Sequence, residues 1–538
     1  MKTMTKAITP LKNVTAFLLL CALAHAQTNT TYGTQALGSD TTGGNNGAFG
    51  YQALFSNTAG SQNTGIGVQA LFSNTTGNQN TAVGYLTLFH NTTGLDNTAV
   101  GYNAAPANTT GSGLTAIGYN SLQLNTTGSK NTAVGLGTLA QNTAGSSNTA
   151  IGYQAVNKNT TGSNIVGIGN AALFKDTTGG GNTAIGFSSL TSETTGGANT
   201  AVGSEALYSD TSDSGNTAVG YEALYSNDGG DQNTAIGEDA LDNNTTGYRN
   251  TASGTLALHY NVAGNENTAD GYGTLYSNTG GYNTAVGSEA MILNSTGGDN
   301  TAVGYDSLRT NSTGGENTAL GNLALYNNTT GGYNTAVGIG TLLGNTTGSR
   351  NIALGETAGD EVTGDYNIDI GSEGGPGVSG VISIGTQGTQ TAAYIAGIFG
   401  ATVSGSPVVV NSSGQLGIAP SSQRFKDDIR DMGSSSEAIL ALRPVSFRYK
   451  PEIDPAGTPQ FGLVAEEVQK VAPDLVVHDA KNQVYTVRYD AVNAMLLNEF
   501  RKQHEHVREQ DKVIARQQAE LAAVMGRLAA LEKASAGR

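Results

Sequence analysis

The sequence predicts an all-β repeat solenoid, a parallel β-roll with rungs of 17 residues, followed by a small α+β domain and a C-terminal coiled-coil helix. Three observations predict it. Asparagine recurs every 17 residues, from Asn29 through Asn46, Asn63, Asn80 and Asn97 to Asn267, with Leu114 and Ile165 taking its place without breaking register. Glycine supplies 76 of the 538 positions, tryptophan none, and charged residues only 13% of the chain. The periodic composition ends near residue 385, and a mixed, charged, globular pattern takes over from Ser421. A chain so poor in large apolar residues cannot build a deep core, so it buries surface by stacking similar units.

Residues 1–26 read as a signal peptide. Lys2, Lys6 and Lys12 form a positive start, Val14 to Leu23 an apolar run, and Ala24-His25-Ala26 a small-x-small cleavage site, so the mature chain is expected to begin at Gln27. Leu18-Leu19-Leu20 before Cys21 argues against a lipoprotein site. The run is too short to span a bilayer and no second candidate follows, so a secreted or cell-surface protein without a transmembrane anchor is expected. Cys21 is the only cysteine, which leaves the mature chain no disulfide and no thiolate metal site. Residues 27–384 carry 25 acids and 6 bases, whereas residues 385–538 carry 17 of each. That acidic surface argues against nucleic acid as a partner and serves to keep a long exported fibre soluble.

Residues 27–384 hold 21 repeats of the approximate form NTAVGYxALxxNTTGxx, two of them shortened to 16 residues. The fifth position is glycine throughout, from Gly33, Gly50 and Gly67 to Gly355 and Gly371. Such a column calls for positive φ or close backbone approach. Thr-Ala-Val reads as one short strand, x-Ala-Leu-x as a second, and Asn-Thr-Thr-Gly as the turn between rungs. Val or Ile at the fourth place and Leu at the ninth (Leu54, Leu71, Leu88, Leu122) are expected to stack as two apolar ladders. Two thin ladders look insufficient for an isolated coil, so the small Ala and Gly positions are expected to let chains pack together, three being the natural number. The NTAVG pattern resembles the head repeats of trimeric autotransporter adhesins, which form a left-handed parallel β-roll. The rung here is longer, and the adhesins' C-terminal membrane strands are not found.

Tyr51, Tyr85, Tyr102, Tyr119, Tyr153 and Tyr221 share the sixth position. They suit either a glycan-stacking stripe or a packing column, and packing is the simpler reading. The Asn-Thr-Thr triplets match the glycosylation sequon, but turn chemistry explains them better. Threonine arrays on flat solenoids also bind ice, yet threonine here falls mainly at turns. The six histidines show no metal-ligand spacing, and no cofactor is implied.

Residues 385–420 form a Gly/Ser-rich transition in which Ile395-Ala396-Gly397-Ile398, Val408-Val409-Val410 and Gly417-Ile418 read as short strands. Four blocks then follow in order: SSQRFKDDI (421–429), LRPVSFRYK (442–450), FGLVAEEVQKVAPDLV (461–476) and YTVRYDAVNAMLLNEF (485–500). Together they resemble the endosialidase-type intramolecular chaperone domain, the auto-processing module of phage tail spikes and bacterial fibre proteins. The resemblance sets this domain at residues 421–500. It implies a module that trimerises, promotes folding of the β-rich fibre and then cuts itself off. It also implies a serine nucleophile and a lysine base five residues later, here Ser421 and Lys426. The cut then falls between Pro420 and Ser421, with Arg424, Glu466 and Glu467 as tuning residues. Ser422 is an alternative nucleophile. Glu466 stands where the family commonly has Gln, and a module that trimerises without cutting is the other reading. No outside substrate is implied.

The tail, residues 501–538, reads as a parallel coiled coil. Phe500, Val507, Ile514, Leu521 and Leu528 recur every seven residues, with Gln503, Gln510, Gln517, Val524 and Leu531 at the companion positions. The expected whole is an exported homotrimeric fibre, adhesin-like, with a cell-surface or glycan ligand of unspecified identity. A structural coat fibre with a non-cleaving module is the alternative.

Overall fold

A computed structural model of the protein describes residues 28–396, 398, 404–411, 413–479 and 481–536. The expected signal peptide, with Cys21, and the expected start at Gln27 lie outside them. The chain divides into two compact units, Met1–Gln390 and Thr391–Arg538.

The first unit is a parallel β-solenoid. Each of the 21 repeats contributes a three-residue strand, from β1 (Thr30–Tyr32) to β21 (Ile368–Ile370), and β22 (Ile382–Ile384) adds one more. Each strand pairs in parallel with its predecessor and successor, so Ala82 lies on Ala99 and Ala99 on Ala116 along one 22-stranded sheet. At about 4.8 Å per strand the rod is on the order of 100 Å long.

Three details of the rung depart from expectation. The stretch x-Ala-Leu-x is not a second strand. Its residues at places seven and nine have left-handed backbones, Gln69 with φ 56° and Leu71 with φ 54°, and so bend the chain where an extended run was expected. A left-handed non-glycine residue costs about 1–3 kcal/mol, and hydrogen bonds to both neighbouring rungs hold it. Gln69 N–H donates back to Tyr51 O at 2.9 Å, while Leu71 and Ser73 donate forward to Thr87 O and Phe89 O at 3.0 and 2.9 Å.

The fourth-place Val/Ile ladder lies outside the core. Side chains alternate along a strand, and in Thr98–Val100 the buried residue is Ala99, at 1% exposure, while Val100 is 37% exposed. The inner column is therefore the third-place alanine, joined by the ninth-place leucines, of which Leu54, Leu71, Leu88 and Leu122 are wholly buried as expected. The small residues consequently serve the chain's own interior, not close approach by other chains. Alanine is already enclosed within one chain, and the fifth-place glycines pack rung on rung. Both properties expected of that column hold: Gly186 has φ +142°, and a Cβ there would lie 2.1 Å from Gly203 O.

Two buried asparagine ladders complete the interior. At the first place, Asn63 N–H donates to Asn46 Oδ1 at 3.0 Å and Asn63 Nδ2 to Gly77 O at 2.8 Å. At the twelfth, Asn74 Nδ2 donates to Asn57 Oδ1 at 2.8 Å and to Gly77 O at 3.1 Å. The Asn of each Asn-Thr-Thr triplet is thus turn and core chemistry, its amide enclosed. Leu114 and Ile165, which take the first place, keep the backbone link to Asn97 Oδ1 and Asn148 Oδ1. Asn74→Ala strands the buried acceptor Asn57 Oδ1, at about 1–3 kcal/mol, and takes one of its two acceptors from Asn91 Nδ2, while Gly77 O keeps its bond from Asn63. Urea-dependent hydrogen exchange should show a local loss of roughly 2–4 kcal/mol around rungs 57–91.

The sixth-place tyrosines stack along the outer surface, Tyr85 on Tyr102 and Tyr102 on Tyr119 with ring centroids 5.1 and 5.3 Å apart. About half of each ring stays exposed, Tyr51 at 48%.

In the second unit, β23 (Val409–Val410) and β24 (Leu416–Gly417) form an antiparallel hairpin. The described residues of the Ile395–Ile398 segment are not strand. A 3-10 turn, Gln423–Phe425, and a 3-10 helix, Gly433–Ala441, precede the hairpin of β25 (Val445–Phe447) and β26 (Gln460–Gly462). Helix α1 (Ala465–Val471) leads to a third hairpin, β27 (Val476–His478) with β28 (Val484–Val487), and to helix α2 (Tyr489–Ala536). Val468, Leu475, Val476 and Val487 form the small core, with Val492 and Met495 of α2 against it. No helix among the described residues is long and apolar enough to cross a membrane.

Candidate functional site

Ser421 and Lys426 flank the 3-10 turn Gln423–Phe425. The turn forms because Phe425 N–H reaches Ser422 O at 3.1 Å and Lys426 N–H reaches Gln423 O at 3.0 Å. This single tight turn folds five residues back on themselves and brings Lys426 Nζ to 3.4 Å from Ser421 Oγ. Both residues are exposed in the single chain. Ser422, the alternative nucleophile, occupies the turn's N-cap with an extended backbone. Arg424 lays its guanidinium over the Phe425 ring at 4.6 Å, so its charge is held against that ring.

The acidic residues take other roles. Glu467 accepts a two-pronged bond from Arg443, with Nε at 3.0 Å and Nη2 at 2.6 Å, tying α1 to the segment that enters β25. That pairing holds the Glu467 carboxyl below its ordinary value and raises Arg443. Glu466, on the first turn of the same helix, is exposed.

Sequence reasoning missed a second cluster. Ser436, fully buried in the 3-10 helix, donates to Glu499 Oε1 of α2 and accepts from Asn498 Nδ2 at 2.7 Å. Lys502 Nζ completes it, 2.7 Å from Glu499 and 3.1 Å from Glu437, and holds the Glu499 carboxyl below its usual range. These groups pin the 3-10 helix to α2 across 63 positions, a separation that leaves no local signature in the sequence. Beyond this pin α2 is bare. Phe500 is 71% exposed, and Val507, Ile514, Leu521 and Leu528 are about half exposed along one side of the helix.

Residues 421–477 match the family described as chaperone of endosialidase, which supports an intramolecular chaperone role for this region. Myelin regulatory factor homolog 1 of Caenorhabditis elegans is 35% identical over 105 residues. The match covers 18% of this chain, and the chain spans only a tenth of that relative's length. No solved structure matches. A chaperone-of-endosialidase module set behind a parallel β-solenoid fits a tail-fibre-like protein with a C-terminal chaperone domain.

Proposed function

We propose that the chain is an exported, homotrimeric, adhesin-like fibre whose C-terminal module folds the rod and then releases itself by cutting between Pro420 and Ser421. The observation that carries this reading is the 3.4 Å contact between Lys426 Nζ and Ser421 Oγ, inside the segment that matches the chaperone family. With the lysine as neutral amine, Ser421 Oγ gives it a proton and attacks the Pro420 carbonyl carbon through a five-membered ring. Collapse breaks the Pro420–Ser421 C–N bond, and the ammonium returns its proton to the departing nitrogen. An ester on Ser421 Oγ remains. Water hydrolyses it, leaving a carboxylate on Pro420 and a free amino terminus on Ser421. Backbone amides or Arg424 serve the oxyanion.

Two features tie this reaction to assembly. A lysine becomes a base when burial favours its neutral form, and Lys426 is exposed in one chain. The apolar stripe on α2 likewise lacks cover in one chain. A parallel three-chain coil supplies that cover and, by bringing copies of the module together, the burial.

The test is the full chain on denaturing gels with intact-mass analysis, beside Ser421→Ala and Lys426→Ala. A wild-type break before Ser421 that both variants abolish is the expected result. One uncut species in all three leaves the second reading, a structural fibre with a permanent trimerising module. A cut that survives Ser421→Ala and disappears in Ser422→Ala moves the nucleophile one residue.

A further inference from the structure

The buried ladder at the twelfth place changes chemistry over three consecutive rungs. Up to Asn159 each amide nitrogen donates twice. Asn159 Nδ2, for instance, reaches Asn142 Oδ1 at 2.8 Å and Gly162 O at 3.1 Å. The next three places hold Asp176, Glu193 and Asp210, all without solvent exposure, before asparagine resumes at Asn227.

The aspartates keep only the acceptor half of the asparagine role. Asp176 Oδ1 accepts Gly179 N–H at 2.8 Å and Asp210 Oδ1 accepts Asp213 N–H at 3.0 Å. Asp176 Oδ1 stays beside Gly179 as Asn74 Oδ1 stays beside Gly77, which leaves Oδ2 in the place of the donating nitrogen. Neither Asp176 Oδ2 nor Asp210 Oδ2 has a hydrogen-bond partner. Asn159 Oδ1, which should receive the missing donor, has none either. Buried oxygens that face each other with lone pairs alone are costly, and a single hydrogen on one of them removes the conflict.

The surroundings supply no counter-charge. Glu193 lies beside both aspartates, and its own carboxyl accepts Thr195 N–H, Gly196 N–H and Asn199 Nδ2. Asp213 adds a fourth carboxyl, accepting Asn227 Nδ2 at 3.1 Å, with Asp228 and Asp231 beyond it. Lys175, next to Asp176 in sequence, turns its ammonium to the outer face against Ser192. Among the described residues no group of acids or histidines is arranged to hold a metal ion.

We propose that Asp176 and Asp210 are carried in the folded rod as neutral acids whose hydroxyls replace the missing amide donors, and that their ionisation loosens this one stretch, making rungs 165–232 a proton-operated joint. Burial foremost, with the neighbouring Glu193 carboxyl adding to it, pushes Asp176 up to about 7 and Asp210 up to about 8. Glu193 and Asp213 are raised by burial as well. An unfolded aspartate ionises near its ordinary 3.8, so with rising pH the opened state loses its protons first. The joint is firmest below about pH 4, weakens through the interval to about pH 8, and stays at its weakest above that.

Hydrogen exchange by mass spectrometry on the full chain tests this at pH 5 and pH 9. The comparison is with Asp176→Asn/Glu193→Gln/Asp210→Asn, read at the same pH so that intrinsic exchange rates cancel. Asparagine already fills the equivalent place in the neighbouring rungs, so the variant keeps the fold. At pH 9 peptides from 165–232 should exchange more than roughly tenfold faster in the wild type than in the variant. At pH 5 the two should differ far less, and rungs 46–148 should match at both pH values. Equal protection of 165–232 in both proteins at pH 9 overturns the proposal. So does a variant that retains the wild-type pH dependence.

Discussion

Gly186→Val is expected to break the rod into two independently folded pieces. The added Cβ would lie 2.1 Å from Gly203 O and 2.6 Å from Gly203 C, at a residue whose φ is +142°. Both obstructing atoms are backbone and belong to the next rung, just past its strand, so no side chain can swing aside. Relief requires either opening the inter-strand spacing or abandoning a backbone that only glycine adopts cheaply. The cost, roughly 3–5 kcal/mol, falls on one interface of a stack whose stability is a sum over neighbours. Limited proteolysis should show a new cut between residues 186 and 203 and resistant fragments on either side. Gly113→Asn is the control. Its φ is +69°, nothing lies closer than 3.8 Å to its Cβ position, and left-handed Gln62 and Gln79 fill the same place in other rungs. An unchanged digest of Gly186→Val would show that the glycine column is not what sets the rung spacing.

Lys426→Arg is expected to leave the chain uncut. Arginine preserves the positive charge and much of the reach toward Ser421 Oγ, but its guanidinium does not deprotonate in proteins. Only a role as proton acceptor is lost, and such a role is worth about 10²–10⁴-fold in rate. Intact mass over time should give that loss, while light scattering reports an unchanged oligomer. Cleavage at the wild-type rate would remove Lys426 as the base and reduce the 3.4 Å contact to a surface hydrogen bond.

How far the sequence reaches depends on the range of the interaction being read. The 17-residue period and the glycine column survive because each is repeated over the whole rod, and the structure has both. The ninth-place leucines were legible for the same reason. The inward face of Thr-Ala-Val was not. Hydrophobicity favours valine for the core, but side chains alternate along a strand, and the phase of this one turns Ala99 in and Val100 out. The second strand failed because left-handed φ at Gln69 and Leu71 is sustained by cross-rung hydrogen bonds that no local propensity encodes. In the second unit, a five-residue spacing suffices to bring Ser421 to Lys426 round one 3-10 turn. The Ser436–Glu499 pin spans 63 positions and has no such cue. The three acids at Asp176, Glu193 and Asp210 were visible as letters, and their enclosure was not, since the same residue types face water elsewhere on the rod.

The rod's translational symmetry has a kinetic side. Successive strands pair alanine on alanine and threonine on threonine, as Thr200 on Thr217 and Ala201 on Ala218 do. A chain that skipped one rung, looping out 17 residues, would regain nearly the same partners. The folding landscape therefore contains many near-degenerate registers, and local contacts alone discriminate poorly among them. Only aperiodic landmarks tell one rung from another, among them the 16-residue steps to Asn283 and Asn367, Leu114 and Ile165 in the asparagine column, Pro106, and the acidic rungs. A protein of this kind gains from folding that starts at a defined end and proceeds in order. The same degeneracy makes length a free variable, since whole rungs can be gained or lost in steps of about 4.8 Å without any new interface having to arise.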